Sequence, residues 1–170
     1  MLTAKERLTR LVELAANPSP EARDRMIAEL TAFLNDWPES LPQSMRATLE
    51  KLLQRKQREA DAGNLDERSL VTVARTRIAG DWAIEFAGFI GVDVGLAQKI
   101  LHEPTGQALA IACKAAYLSR TAFSALAVLA ARDEMPGADD MYARLAHYDT
   151  VSRSEAIATL ETWRAQRAAA

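Results

Sequence analysis

The chain has little of what most enzyme chemistry is made from. One Cys in 170 residues excludes an intramolecular disulfide, and two His leave little for a zinc site. Aromatic residues make up 6% of the sequence, and Gly and Pro number only 7 and 6. Alternating β-branched runs with hairpin turns are missing, so strands have no obvious place. Neither sign of charge dominates: 21 Lys and Arg face 23 Asp and Glu, giving a net charge of −2. That balance argues against a basic nucleic-acid binder. The most apolar stretch, 82–101, holds Glu85, Asp93, Gln98 and Lys99, which argues against a membrane helix. The start, Lys5-Glu6-Arg7, is charged and unlike a secretory signal, and with the lone Cys113 it makes a reducing cytoplasm the expected compartment.

What is abundant is Ala, about a fifth of the chain and the best intrinsic helix former. Hydrophobic residues at 49% and charged residues at 26% are enough for a real core. Helix punctuation is frequent. Thr3 with Glu6 forms a capping-box pattern, followed by Leu8, Leu11, Val12 and Ala15 at helical spacing. Ser19-Pro20 restarts the chain as N-cap and first helical residue, ahead of Met26, Ile27, Leu30, Phe33 and Leu34. A third helix is expected from Leu41 to Ala62, with Met45, Leu49, Leu52 and Leu53 inward and Gly63 as its stop. Its end, Gln54 to Ala62, is so polar that it is expected to project and move. Asp66 to Ala79 follows, ended by Gly80.

The texture changes near residue 80. Up to there, 13 basic residues face 12 acidic; beyond it, 8 face 11. From Asp81 to Ala131 the chain is poor in charge and rich in small residues. Short helices are expected at 82–90, 93–102, 105–117 and 120–132, with Asp81, Asp93 and Ser119 as N-caps. The stretch Gly106 to Leu118 is apolar almost all round, which places it centrally. Two more helices are expected at 139–148 and from Ser152 to Arg167, the last opening on a Ser152–Glu155 capping box. The fold expected is all-α: one domain over 1–170 of eight to ten helices, with an N-terminal half to about 80 and an Ala-rich half after it. Short loops make it a bundle or a short α-solenoid. No repeated motif is visible in the sequence.

Three segments carry a resemblance. Leu11-Val12-Glu13-Leu14-Ala15 with Ser19-Pro20-Glu21-Ala22-Arg23 is one. Gly106 to Ala115 followed by Leu118-Ser119-Arg120 is the second. Tyr142-Ala143-Arg144-Leu145, through Ser152-Arg153-Ser154-Glu155-Ala156 to Trp163-Arg164, is the third. Together they resemble a bacterial, mainly alphaproteobacterial, domain of unknown function (DUF2336). The resemblance spans nearly the whole chain and implies an all-α, HEAT-like protein. It supplies no catalytic residues.

Candidate chemistry is sparse. His102-Glu103-Pro104-Thr105 echoes a phospho-acceptor His-Glu pair, but Pro104 puts His102 at a helix end, where the helix dipole favours it anyway. His147 near Asp139, Asp140 and Asp149 lacks metal-ligand spacing. Gly88, Gly91 and Gly95 match no phosphate-loop pattern; Gly91 reads as a helix stop and Gly88 as a point of close approach. Cys113 in an apolar helix reads as a small hydrophobe. Arg55, Lys56 and Arg58 form the one basic run, with Arg55–Glu59 as an i,i+4 pair. Trp37 in a Pro-rich loop either fills the core or anchors an interface.

The function expected is a non-enzymatic helical protein-interaction module, a cytoplasmic bacterial adaptor or regulator. Its candidate contacts are Trp37, Arg55 and Arg58. Its partner is another protein, with no nucleic acid, membrane, metal or cofactor, and the Ala-rich helices are compatible with a homo-oligomer. The alternative is a phosphotransfer protein using His102 or His147.

Overall fold

Thr3 and Ser19 start the first two helices as their side chains suggest. The Thr3 hydroxyl accepts from the Glu6 N–H at 3.3 Å while Glu6 reaches back to the Thr3 N–H at 2.7 Å. Ser19 accepts from the Ala22 N–H at 3.1 Å, and Pro20 follows at the first helical position. The computed structural model describes residues 3–17, 19–77 and 81–168. Within them lie ten helices: α1 (Ala4–Ala16), α2 (Pro20–Asn35), α3 (Gln43–Ala62), α4 (Glu67–Thr76), α5 (Ala83–Ile90), α6 (Val94–Leu101), α7 (Gln107–Ala115), α8 (Arg120–Ala130), α9 (Ala138–Thr150) and α10 (Arg153–Ala168). No strand is present among the described residues, and none of these helices is long and apolar enough to cross a membrane.

The chain packs as two compact units, Met1–Asp61 and Ala62–Ala170. In the first, Leu11, Met26, Leu30 and Phe33 form the buried centre, and Leu8, Leu49, Leu52 and Leu53 pack on it. Helical spacing turns these positions inward, but Val12 and Ala15 of the same expected face are exposed, because α1 packs along only a narrow stripe through Leu8 and Leu11. The end of α3 differs from the projecting segment its polarity suggests. Lys56, Arg58, Glu59 and Ala60 are half-buried, and the Arg23 guanidinium donates to the Glu59 carbonyl at 3.3 Å. Long charged side chains bury their stems while their heads stay hydrated, so a polar sequence need not be an exposed one.

In the second unit α7 is the centre, as its all-round apolar character implies. Leu109, Ala110, Ala112 and Cys113 are fully buried, and α6, α8, α9 and α10 pack around them. Trp82, Phe86, Ile90, Phe123, Leu126 and Leu160 complete this core. Leu70 and Ala74 of α4 belong to it too, and α4 packs on α8. The break in packing therefore falls at 61/62 and not near residue 80, where the charge texture changes. Composition reports how exposed a segment is, not which core its buried face joins. Gly80 and Ile78 lie outside the described residues.

The helix starts of this unit alternate. Asp66, Asp93, Ser119 and Ser152 each accept a backbone N–H three residues on. The helices between them, α5, α7 and α9, start at Trp82, Gly106 and Gly137 with no cap from those side chains. Asp81 is thus not an N-cap: its carboxylate turns to Arg77 at 3.7 Å, and buried Trp82 takes the cap position. Each capping residue follows an apolar one (Leu65, Val92, Leu118, Val151) that packs into the core. Gly91 ends α5 at φ 74, and the Arg164 Nε of α10 donates to the Ile90 carbonyl at 2.9 Å. Gly63 follows α3 without a left-handed φ.

Candidate interaction surface

The turn between α7 and α8 gathers side chains from α4, α9 and α10. Helix α7 ends in a Schellman pattern: the Leu118 N–H donates to the Cys113 carbonyl at 3.0 Å, and the Tyr117 N–H to the Lys114 carbonyl at 3.3 Å. That pattern needs a left-handed residue, usually Gly. Here it is Tyr117, at φ 60 and 67% exposed. The left-handed conformation costs a side-chain-bearing residue about 1–2 kcal/mol. Leu118 behind it is buried and holds the turn in place.

Around Tyr117 other elements converge. The Arg153 guanidinium, at the first turn of α10, lies over the Tyr117 ring at 4.9 Å. Ser119 donates its N–H and its hydroxyl to the two oxygens of Glu67 on α4, both at 2.7 Å, while its Oγ accepts from the Ala122 N–H. Arg120 grips Asp149 with two nitrogens, at 2.9 Å each for the shortest contacts. That pairing lowers the Asp149 carboxyl and raises Arg120 from their ordinary values. Beneath them the Tyr148 hydroxyl donates to the Leu118 carbonyl at 2.5 Å, and its ring stacks on Phe123 at 5.0 Å. Lys114 donates to the Tyr148 carbonyl at 2.6 Å with its ammonium 4.7 Å from the ring centre. Burial, first of all, raises the Tyr148 phenol, and Cys113, Glu67 and Asp149 add to it against Arg153.

The His-Glu tetrad folds into a capping device. His102 is exposed at the C-cap of α6, its Nδ1 2.8 Å from the Gln98 carbonyl. Glu103 makes its hydrogen bonds to residues that follow it. Its carboxylate accepts from the Thr105 N–H at 2.7 Å, the Thr105 hydroxyl at 2.8 Å and the Ala108 N–H at 3.2 Å. It supplies the cap that Gly106 cannot. Burial opposes its charge, but the bonds from Thr105 and the backbone N–H groups outweigh that and hold the carboxyl below its ordinary 4.5. A lowered folded-state value means stability that is complete above the unfolded value and lost as pH falls through the folded one. The Tm should therefore fall as pH drops below 4.5, more steeply in the wild type than in Glu103→Gln. At pH 7, Glu103→Ala should cost about 1 kcal/mol in urea unfolding. An unchanged midpoint would show that the cap contributes nothing.

The remaining sequence candidates fall elsewhere. Trp37 is half-buried on the first unit's core, tilted on Phe33 at 5.5 Å, with a buried Nε1 that has no hydrogen-bond partner. Arg55 pairs with Glu59 at 3.2 Å, the i,i+4 pair its spacing implies, and Lys56 shares that carboxylate at 2.8 Å. Arg58 is half-buried. The Arg55 guanidinium bonds within α3, and the Trp37 Nε1 has no partner, so no side-chain hydrogen bond joins these two. Cys113 is fully buried, and burial together with the Glu67 charge pushes its thiol up, away from thiolate chemistry. His147 is half-buried in the last turn of α9, and Asp149 is engaged by Arg120. No three His, Cys, Asp or Glu side chains are placed to hold a metal ion among the described residues. Gly88 is a point of close approach: a Cβ there would sit 2.4 Å from the Ala62 Cβ.

Sequence spacing singles out neither Tyr117 nor Arg153 as a contact residue, and it does not pair Glu67 with Ser119. A helix end with no Gly, Ala116-Tyr117-Leu118, was the available signal for the first.

No curated protein and no solved structure matches the chain. The family described as an uncharacterised protein conserved in bacteria (DUF2336) matches residues 1–161, so the chain belongs to that family.

Proposed function

We propose that the protein is a non-enzymatic, HEAT-like helical protein-interaction module, acting as a cytoplasmic adaptor or regulator in bacteria. The observation that carries this is Tyr117: a large aromatic side chain, exposed, held in a strained backbone conformation by a well-packed turn. Strain of that kind persists where the surroundings over-determine it, and it clusters at recognition sites. Exposed Tyr beside Arg is also the composition of interface anchors. The alternation of side-chain-capped and uncapped helix starts supports the repeat reading. It gives helix pairs beginning at Asp66, Asp93 and Ser119, with Ser152 opening the last helix.

The reading is tested by placing a photocrosslinking residue at Tyr117, Trp37 and Arg55 in turn, in cells of a bacterium that makes the protein. A discrete adduct of fixed mass at Tyr117, absent from the same label at exposed Gln98, is the expected result. No discrete adduct at any of the three positions would overturn the reading.

A further inference from the structure

We infer that the protein pairs with a second copy of itself through α1, the two helices lying antiparallel about a two-fold axis at Thr9. This goes beyond the interaction-module reading, which concerns a different partner, and it stands or falls separately. Charge placement on α1 carries it. The charged side chains of the helix are Lys5, Glu6, Arg7, Arg10 and Glu13. Glu6 is taken by the Thr3 cap, Arg7 by Asp36 at 3.2 Å and Arg10 by Glu29 at 3.2 Å. Lys5 and Glu13 are exposed and make no ion pair among the described residues. They cannot pair with each other, because eight residues of helix set them about 12 Å apart. Each also sits at the end where the helix dipole disfavours it, Lys5 in the first turn and Glu13 in the last. Both charges are thus placed against the needs of an isolated helix.

Thr9, four residues from each, shares their face. Its hydroxyl donates to the Lys5 carbonyl at 3.1 Å, so this polar group is satisfied within the helix. Val12 is 70% exposed, and Ala16 is exposed too. An open hollow on this side is lined by Thr3, Lys5, Glu6, Thr9, Arg10 and Glu13. A two-fold axis at Thr9 carries Lys5 onto Glu13 of the second copy and Glu13 onto its Lys5, so the surface is its own complement. Two ion pairs form, and each helix end receives the charge that its dipole favours. Val12 packs against the Thr9 methyl and the Lys5 stem of the other chain. A parallel pair would set Lys5 on Lys5, and a partner of one sign would meet like charge at one end of the face. Helix α1 has 13 residues, about 20 Å, and a pair of that length covers less than the ~1,200 Å² of a permanent interface. The dimer is therefore weak and reversible.

Sedimentation of the full chain from about 5 to 500 µM in low salt tests this. The mean mass should climb from 18.7 kDa toward twice that, and fall back in about 1 M NaCl. Lys5→Glu and Glu13→Lys put like charges at both contacts and should each weaken pairing about tenfold or more. Either change suits the helix dipole, so both variants should keep the helical circular dichroism of the wild type. Mixed one to one, the two variants should pair again, because each supplies the sign that the other lacks. A chain carrying both changes should pair like the wild type. Arg132→Glu makes the same change of net charge as Lys5→Glu, at an exposed position in the second unit, and should leave pairing unchanged. A wild type that stays at 18.7 kDa throughout would overturn the inference. So would a dimer that both single variants leave intact, or a mixture that stays monomeric after each variant alone has lost pairing.

Discussion

Replacing Gly88 by Ala is expected to destabilise the second unit by about 1–3 kcal/mol, although Ala is the better helix former. Helix propensity alone favours the substitution by about 1 kcal/mol in the interior of a helix. Packing reverses the sign. The added Cβ would lie 2.4 Å from the Ala62 Cβ and 2.9 Å from its carbonyl carbon, and the second of these is backbone that cannot swing aside. Ala62 is itself buried at 1% exposure, so no open space exists for it to enter. Urea unfolding measures the effect, and a double-mutant cycle locates it. Ala62→Gly in the Gly88→Ala background should recover part of the loss, because it removes one of the two clashing groups. A Gly88→Ala variant as stable as the wild type would mean that the two chain segments are farther apart than described.

Phe123→Ala should cost about 3–5 kcal/mol, the range for a fully buried Phe in a close-packed core. Against a typical domain stability of about 5–15 kcal/mol that is a large fraction. Phe123 has no exposed surface, and its ring is the stacking partner of Tyr148. Tyr148 in turn donates to the Leu118 carbonyl and supports Lys114. The substitution should therefore loosen the α7–α8 turn as well as open a cavity. Hydrogen exchange would show this as faster amides at Leu118 and Ala122 than the global loss explains. Phe123→Leu, which keeps most of the volume, should cost well under half as much. A loss below about 1 kcal/mol for Phe123→Ala would place the ring outside the core.

How much of this was legible beforehand follows the range of the interactions. Thr3, Ser19, Asp93, Ser119 and Ser152 announce their helices because an N-cap bonds to a backbone group two or three residues away. The centrality of α7 is legible because a helix without a polar face has no face to give to water. Gly88 and Gly91 are legible because their roles follow from a missing side chain. Asp81 shows where local reasoning fails. It is a good capping residue whose carboxylate finds Arg77 four residues back instead. Glu103 pairs in sequence with its neighbour His102, yet it caps a helix beyond Pro104. The α7–α8 turn is the least legible part. Glu67 and Ser119 meet across 52 residues of chain, and Arg120 and Asp149 across 29. Only the fold brings such pairs together, and no local pattern encodes them.

The central claim is that Tyr117 is kept for a partner and not for the fold. Its most direct test is the urea midpoint of Tyr117→Gly, with Tyr117→Ala as reference. Losing the ring removes one exposed cation–π contact, about 0.5–1 kcal/mol. Gly then relieves about 1–2 kcal/mol of backbone strain, offset by about 0.4–1 kcal/mol of greater freedom in the unfolded chain. The account expects Tyr117→Gly to match or exceed the wild type at an unchanged m-value, and to exceed Tyr117→Ala. A midpoint lowered by more than about 1 kcal/mol would mean that the ring is a structural element, and would contradict the claim.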